Sequence, residues 1–396
     1  MKRIAFFGPL PPSRTGIADY DDALIPLLRQ HFDIDVFAPE PSSVPQTYAP
    51  AEFGLRNNSR PYDLSLYQMG NSRFHEYMYN SIFQNPGAVV FHDTCLHHSR
   101  ADILLKKGMF HEYREELRHV YPEQADRIAN AVITFAAGDL LFYQFPLYEL
   151  LVRSALAAAA HTDHSKETLS VCETPVVKIP HLELPAGAFS KDDLLPGKLV
   201  IASFGLATAA KRNNAVLEVL SKLKPQHPEL VYLIAGDVED HAGLNARISA
   251  LRLQQNVHTT GRLDMNAFLR WMHRADIIVN LRYPSAGEMS GTLIRAMAGS
   301  KPVIISRLPH LLEIPEDCVL RVRPDHEHKE LMTALNRLVE SVNLRQALSE
   351  KARHYIETRH SPKQAVNQYL ELIDIALQRK TGYRPPMLPL HLRSGT

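Results

Sequence analysis

The stretch DIIVNLRYPSAGEMSGTLIRAMAGSKPVIIS, residues 276–306, decides the fold. It opens on an apolar run at 276–281 and passes through a loop rich in Gly and Ser. A helical pattern follows at 292–298, and a second apolar run closes it at 302–306. Two strand-length apolar runs flanking one helix make a βαβ unit. Their unbroken apolar character predicts strands covered on both faces, as in a parallel sheet. Working outward, the same alternation recurs. Apolar runs at 199–204, 230–235 and 257–260 alternate with helical patterns at 214–223 and 266–273. Upstream, residues 180–197 are rich in Pro and Gly and have no period, which reads as a domain linker. Before that, apolar runs at 3–7, 34–37, 62–67, 88–91, 155–160 and 176–179 alternate with a helix at 17–30 and a helix-rich stretch at 96–153. The predicted fold is α/β, two Rossmann-like doubly wound halves facing a central cleft. The domains fall at 1–182 and 183–361. A long helical pattern begins at Pro362, with an irregular tail from Tyr383.

Composition bounds the function. The chain has 396 residues, 44 Lys and Arg against 43 Asp and Glu, for a net charge of +1. A nucleic-acid binder needs a basic surplus, so nucleic acid is excluded as a partner. The balance is uneven along the chain. Residues 1–181 hold 16 Lys and Arg against 21 Asp and Glu, while 182–396 hold 28 against 22. The second half therefore suits an anionic ligand. Three scattered cysteines rule out a disulfide framework and fit a reducing compartment. The apolar run at the N-terminus is too short for a signal peptide. The most apolar window, 131–148, carries Gly138, Asp139, Gln144 and Pro146 and fails as a spanning helix. A soluble, cytoplasmic protein is expected. Lys106 and Lys107 lie in an amphipathic stretch that offers peripheral contact with the anionic inner face of a membrane, although a solvated helix face is the commoner use.

The loops after the strands carry the chemistry. Gly8 to Gly16 joins a strand to a helix but has neither the dinucleotide nor the P-loop spacing. Gly16 leaves room for a ligand to approach the backbone, and a structural turn is an equal reading. His92 and Asp93 end a buried strand, where a satisfied core histidine is the ordinary case. Cys95, His97 and His98 follow, but their spacing matches no common zinc pattern, so no metal is assigned. In the second half, Thr208, Lys211 and Arg212 sit between a strand and a helix, where two cations suit a diphosphate. Gly261, Arg262 and Arg282 end further strands. The loop Gly287-Glu288-Met-Ser290-Gly291-Thr292 leads into a helix whose first N–H groups are free for phosphate or sugar oxygens. Glu288 would repel phosphate, so its partner is a sugar hydroxyl or a developing positive centre.

Taken in order, these pieces resemble the family 4 glycosyltransferases of the GT-B fold. The resemblance covers nearly the whole chain. It runs through Gly8-Pro-Leu-Pro-Pro, Gly16-Ile-Ala-Asp-Tyr20, Gly70-Asn71, the segment ending at His92-Asp93, Lys211-Arg212 and Gly261-Arg262. It ends on Gly287-Glu288-Met-Ser-Gly291, Arg295-Ala-Met-Ala298 and Lys301-Pro-Val303. It implies transfer, with retention, of a sugar from a UDP- or GDP-sugar to a glycan, lipid-linked or small-molecule acceptor. The donor would bind the second domain and the acceptor the first, with the helix from Pro362 crossing back to the first domain. Catalytic roles would fall to His92, Lys211 and Glu288. Lys211 and Arg212 or Arg262 would stabilise the leaving diphosphate. His92 would contact the donor sugar, and Glu288 would hold sugar hydroxyls. Gly16, Thr208, Gly261, Arg282, Ser290, Gly291 and Thr292 would complete the donor site, with Arg295 reaching the ribose. Neither cofactor nor metal is implied. Two departures stand out. Leu206 replaces the arginine expected after Gly205, and Arg295 replaces the second glutamate of the family's pair. Counted without a gap, Gly287 and not Glu288 takes the first-glutamate position. These departures keep two alternatives open, a nucleotide-sugar epimerase and an inactive partner subunit of the same fold.

Overall fold

A computed structural model describes residues 1–184, 187 and 194–393. Of the predicted linker at 180–197, residues 185–186 and 188–193 lie outside the described residues, as do 394–396 of the predicted tail. The chain forms two compact units. Unit 1 comprises Met1–Leu182, Ala286–Met289 and Pro362–Thr396, and unit 2 comprises Glu183–Ser285 and Ser290–Ser361.

Unit 1 holds a seven-stranded sheet. Its strands are β1 Arg3–Phe7, β2 Asp33–Phe37, β3 Thr47–Tyr48, β4 Leu64–Met69, β5 Ala88–Phe91, β6 Ala157–Ala160 and β7 Val176–Lys178. Their order is β3-β2-β1-β4-β5-β6-β7, and every pairing is parallel. Successive side chains point to opposite faces, and both faces are buried. Ile4 and Phe6 pack into one core with Leu66, Val90 and Ala159. Ala5 and Phe7 pack into the other with Tyr67, Phe91 and Ala160. This is why these strands read as continuous apolar runs. The helix Pro362–Lys380 lies in the first core. Ala365, Tyr369, Leu372, Ile373 and Ala376 form one buried stripe at helical spacing. Burying each of its large apolar side chains contributes roughly 1.5–3 kcal/mol.

Unit 2 repeats the plan with β8 Leu199–Phe204, β9 Leu230–Ala235, β10 Val257–Gly261, β11 Ile277–Asn280, β12 Val303–Ser306 and β13 Leu320–Val322. The order is β10-β9-β8-β11-β12-β13, again all parallel. Helices Asn213–Leu223 and Glu327–Glu340 cover one face through Val216, Leu220, Leu335 and Leu338. The strands β3 and β13 and the helices His241–Ala250, Glu327–Glu340 and Val342–Arg359 are absent from the sequence reading. The apolar window 131–148 is broken between helices Ala125–Ile133 and Leu140–Gln144. Among the described residues no helix is long and apolar enough to cross a membrane.

Candidate active site

In doubly wound sheets, ligands gather beyond the carboxyl ends of the strands, where the connecting loops meet helix N-termini. Each unit is taken in turn.

In unit 2, β8 ends at Gly205, which adopts φ +85°. A Cβ there would lie 2.7 Å from Lys211 Nζ. The glycine therefore gives the lysine its place, and the ammonium donates to the Phe204 carbonyl at the strand end. Beside it, Gly236 follows β9. A Cβ on Gly236 would come within 2.5 Å of the Gly205 carbonyl oxygen, so the two strand ends approach as only glycine permits. Gly236 is absent from the sequence prediction, because a lone Gly after a strand reads as punctuation. Thr208 begins the short turn Ala209–Lys211. Arg212 takes a left-handed conformation, φ 59°, at the start of helix Asn213–Leu223. Its guanidinium makes a bidentate pair with Glu327, Nε to Oε1 at 2.9 Å and Nη2 to Oε2 at 2.8 Å. The side chain of Glu327 is buried, and its hydrogen bonds raise the arginine pKa further. The Arg212 guanidinium, expected at the diphosphate, thus gives its Nε and Nη2 to Glu327.

The helix Gly291–Ala298 begins at Ser290, whose Oγ caps it by accepting from Leu293 N at 3.3 Å. Asn280, the last residue of β11, reaches the same hydroxyl at 3.4 Å. Gly291 and Thr292 supply the first amides of the helix. Arg295 is buried in its second turn, with Nη1 3.2 Å from Met265 Sδ. Arg282 follows β11, and its backbone N–H donates to Ser306 Oγ at 2.9 Å. Gly261 closes β10 with φ 64°, and Arg262 beside it is exposed.

In unit 1, the short segment Ala286–Met289 is held by hydrogen bonds to loops that follow β5 and β6. Thr94 N and Cys95 N donate to Ala286 O at 2.8 and 3.1 Å. Ser165 Oγ donates to Gly287 O at 3.1 Å. Gly287 has φ 82°, and a Cβ there would meet Thr94 Oγ1 at 2.2 Å. Glu288 is thereby fixed in the electrostatic neighbourhood of Cys95 and Tyr143. Burial is the main force raising both of those groups, each to about 12. The sequence reading placed this loop wholly in the second domain. The packing gives its four central residues to unit 1.

His92 lies just past β5 and is buried. Its Nε2 is 2.8 Å from Gln68 Oε1, and its Nδ1 is 3.1 Å from His161 Nε2. Burial pushes its pKa well down, and the neighbouring His161, His181 and His75 push the same way. Gln68, His161, His181 and Tyr369 are absent from the predicted site. The available signal was Gln68, a buried amide inside a mostly apolar strand. Asn71 N donates to Asp93 Oδ2 at 2.6 Å, which locks the turn after β4 to the one after β5. Gly16 is the first residue of helix Gly16–Leu28, and open space lies where its Cβ would be. The glycine of this turn that packing demands is Gly8, where a Cβ would overlap Asp21 Oδ2 at 2.2 Å.

Among the described residues no cluster of His, Cys, Asp or Glu is arranged to hold a metal ion. His97 Nε2 pairs with Tyr113 OH at 2.6 Å, while His98 packs its ring against Phe142 at 4.3 Å. Lys106 pairs with Asp102 at 2.7 Å, and Lys107 pairs with Glu76.

Residues 188–355 match the family described as glycosyl transferases group 1. An uncharacterised glycosyltransferase of Methanocaldococcus jannaschii is 22% identical over 162 residues, which is 41% of this chain and 41% of that protein. Among solved structures, sucrose-phosphate synthase from Thermosynechococcus elongatus aligns with a TM-score of 0.68 at 15% identity, over 94% of this chain and 98% of that one. Anabaena HepE in complex with UDP and glucose aligns at 0.64 and 17%, over 94% and 100%. WaaG, a glycosyltransferase of lipopolysaccharide biosynthesis, aligns at 0.63 and 14%, over 92% and 98%. The fold is therefore GT-B. The segment 188–355 is thus similar to the glycosyl transferases group 1 family.

Proposed function

We propose that the chain is a retaining glycosyltransferase that moves a sugar from a UDP- or GDP-sugar to a glycan or glycolipid acceptor. The observation that carries this reading is the lysine at the end of β8. Gly205 leaves room for the Lys211 ammonium, which donates to the Phe204 carbonyl at the strand end, in the segment that matches the glycosyl transferases. HepE, similar in fold, is described in complex with UDP, with UDP and glucose, and with UDP-glucose. In this reading Lys211, Arg262 and Arg282 take the diphosphate, with the amides of Gly291 and Thr292 adding donors at the helix start. Negative charge grows on the leaving diphosphate as the glycosidic bond breaks, and these fixed donors stabilise it. Thr208, Gly261 and Ser290 shape the loops around the nucleotide, Gly16 leaves room for the diphosphate, and Arg295 donates to the ribose. Glu288 accepts from sugar hydroxyls, and His92 lies against the sugar. A donor phosphate oxygen takes the acceptor proton, so no carboxylate nucleophile and no metal are assigned. The acceptor belongs to unit 1, and Lys106 and Lys107 offer that unit a contact with anionic lipid.

The test is a titration with UDP and with GDP followed by thermal shift. A ligand at 100 times its Kd stabilises the native state by about 2.7 kcal/mol. One nucleotide should raise the melting temperature, and Lys211→Ala should abolish that rise. No shift with either nucleotide at millimolar concentration refutes the reading. Sugar conversion in a donor-only incubation would point to an epimerase.

A further inference from the structure

Six groups in unit 1 form one continuous buried chain. The Tyr20 hydroxyl lies 3.1 Å from the Tyr369 hydroxyl. Tyr369 OH lies 3.2 Å from Gln68 Nε2 and 3.4 Å from Gln68 Oε1. Gln68 meets His92 Nε2, His92 Nδ1 meets His161 Nε2, and His161 Nδ1 is 2.9 Å from the Ile179 carbonyl oxygen. The chain starts at Tyr20 on helix Gly16–Leu28, crosses to Tyr369 on helix Pro362–Lys380, and passes through β4 and the loops after β5 and β6 to the residue after β7.

Proton counting along this chain gives a definite answer. A carbonyl oxygen only accepts, so His161 Nδ1 carries a hydrogen. A neutral His161 then has a lone pair at Nε2, and His92 Nδ1 must donate to it. A neutral His92 therefore has its lone pair at Nε2 and needs a donor there. The Gln68 amide supplies one by presenting its NH2 group to His92. Amide oxygen and nitrogen are assigned by this kind of bookkeeping. The Gln68 oxygen then accepts from Tyr369 OH, whose own oxygen accepts from Tyr20. The competing assignment keeps the Gln68 oxygen on His92 and needs one extra proton, making His161 a buried cation. Burial of His161 opposes that.

We infer that Gln68 and Tyr369 are positioning residues that hold His92 as the neutral tautomer with hydrogen on Nδ1 and a lone pair on Nε2. Both ring nitrogens are thereby committed inside unit 1. This rests on the proposed contact of His92 with the donor sugar, and it sharpens that contact. His92 offers the sugar a fixed ring edge and backbone, and takes no part in proton transfer. A phosphate oxygen as the proton acceptor is consistent with that.

The test is nitrogen NMR on the full chain with 15N-labelled histidine at pH 7. The His92 signals are those lost in His92→Gln. The expected result is a neutral ring with hydrogen on Nδ1. A ring with hydrogen on Nε2, or on both nitrogens, overturns the inference. Gln68→Glu supplies a second arm. A carboxylate can only accept, so His92 should become doubly protonated, and the pH–rate profile of transfer should gain an ionisation absent from the wild type. The NMR result needs no activity, so failure of this inference and failure of the glycosyltransferase reading are separable.

Discussion

Asp21 is the most exacting test of the packing in unit 1. Its carboxyl group is fully buried, and among the described residues neither oxygen has a hydrogen-bond partner. It is wedged beneath Gly8, where a Cβ would lie 2.2 Å from Oδ2. Burial raises its pKa well above the ordinary carboxylate range, so the native state keeps a proton that the unfolded chain gives up. The unfolded carboxyl titrates near about 3.9. Below that value both states are protonated, and the neutral group costs nothing extra. As pH rises toward the native pKa, unfolding releases one proton, and stability falls by about 1.4 kcal/mol per pH unit. Asp21→Asn has nearly the same shape and cannot ionise. Its amide adds donors whose cost does not depend on pH, so the slope and not the offset is decisive. From pH 4 up to the native pKa, the variant should gain about 1.4 kcal/mol on the wild type per pH unit. For a unit of this size that is roughly 3–6 °C in melting temperature per pH unit. The assay is urea denaturation of both proteins from pH 4 to 8, with hydrogen exchange read on β1 and β4. A stability difference that stays constant across that range refutes the buried, protonated carboxyl.

Two further outcomes follow from unit 2. Gly205→Ala places a methyl group 2.7 Å from Lys211 Nζ and strains a left-handed backbone by about 1–2 kcal/mol. It should weaken the nucleotide binding that Lys211→Ala is expected to abolish, as read by calorimetric titration, and binding at wild-type strength would contradict the placing of the lysine. Arg212→Ala leaves the buried Glu327 carboxylate without its fork. It should destabilise unit 2 by about 1.5–3 kcal/mol in urea while weakening nucleotide affinity less than Lys211→Ala does. Arg212→Lys should restore little, because an ammonium cannot make the bidentate pair.

Much of the fold was legible because central strands of a covered parallel sheet advertise themselves. β5 Ala88–Phe91 and β8 Leu199–Phe204 coincide with their apolar runs, each bounded by Gly or Pro. The missed strands β3 Thr47–Tyr48 and β13 Leu320–Val322 are two and three residues long and sit at sheet edges. Their pairing partners, and not their own pattern, make them strands. The strand-end loops were legible because Gly and Lys at such a junction have a physical reason to be there. Contacts between distant residues were not. Gln68 and Tyr369 meet across 301 positions, and no local period records that. The fork of Arg212 was also hidden, since Glu327 lies 115 residues away.

The helix Pro362–Lys380 has a consequence for the order of events during synthesis. The core that it completes begins with β1, so unit 1 stays open until the helix Pro362–Lys380 has been made. Unit 2 has all its strands and helices by Arg359. On the ribosome, the unit that starts first therefore finishes last. A chaperone that shields apolar surface would find its longest-lived target in the sheet face that waits for Tyr369, Leu372 and Ile373.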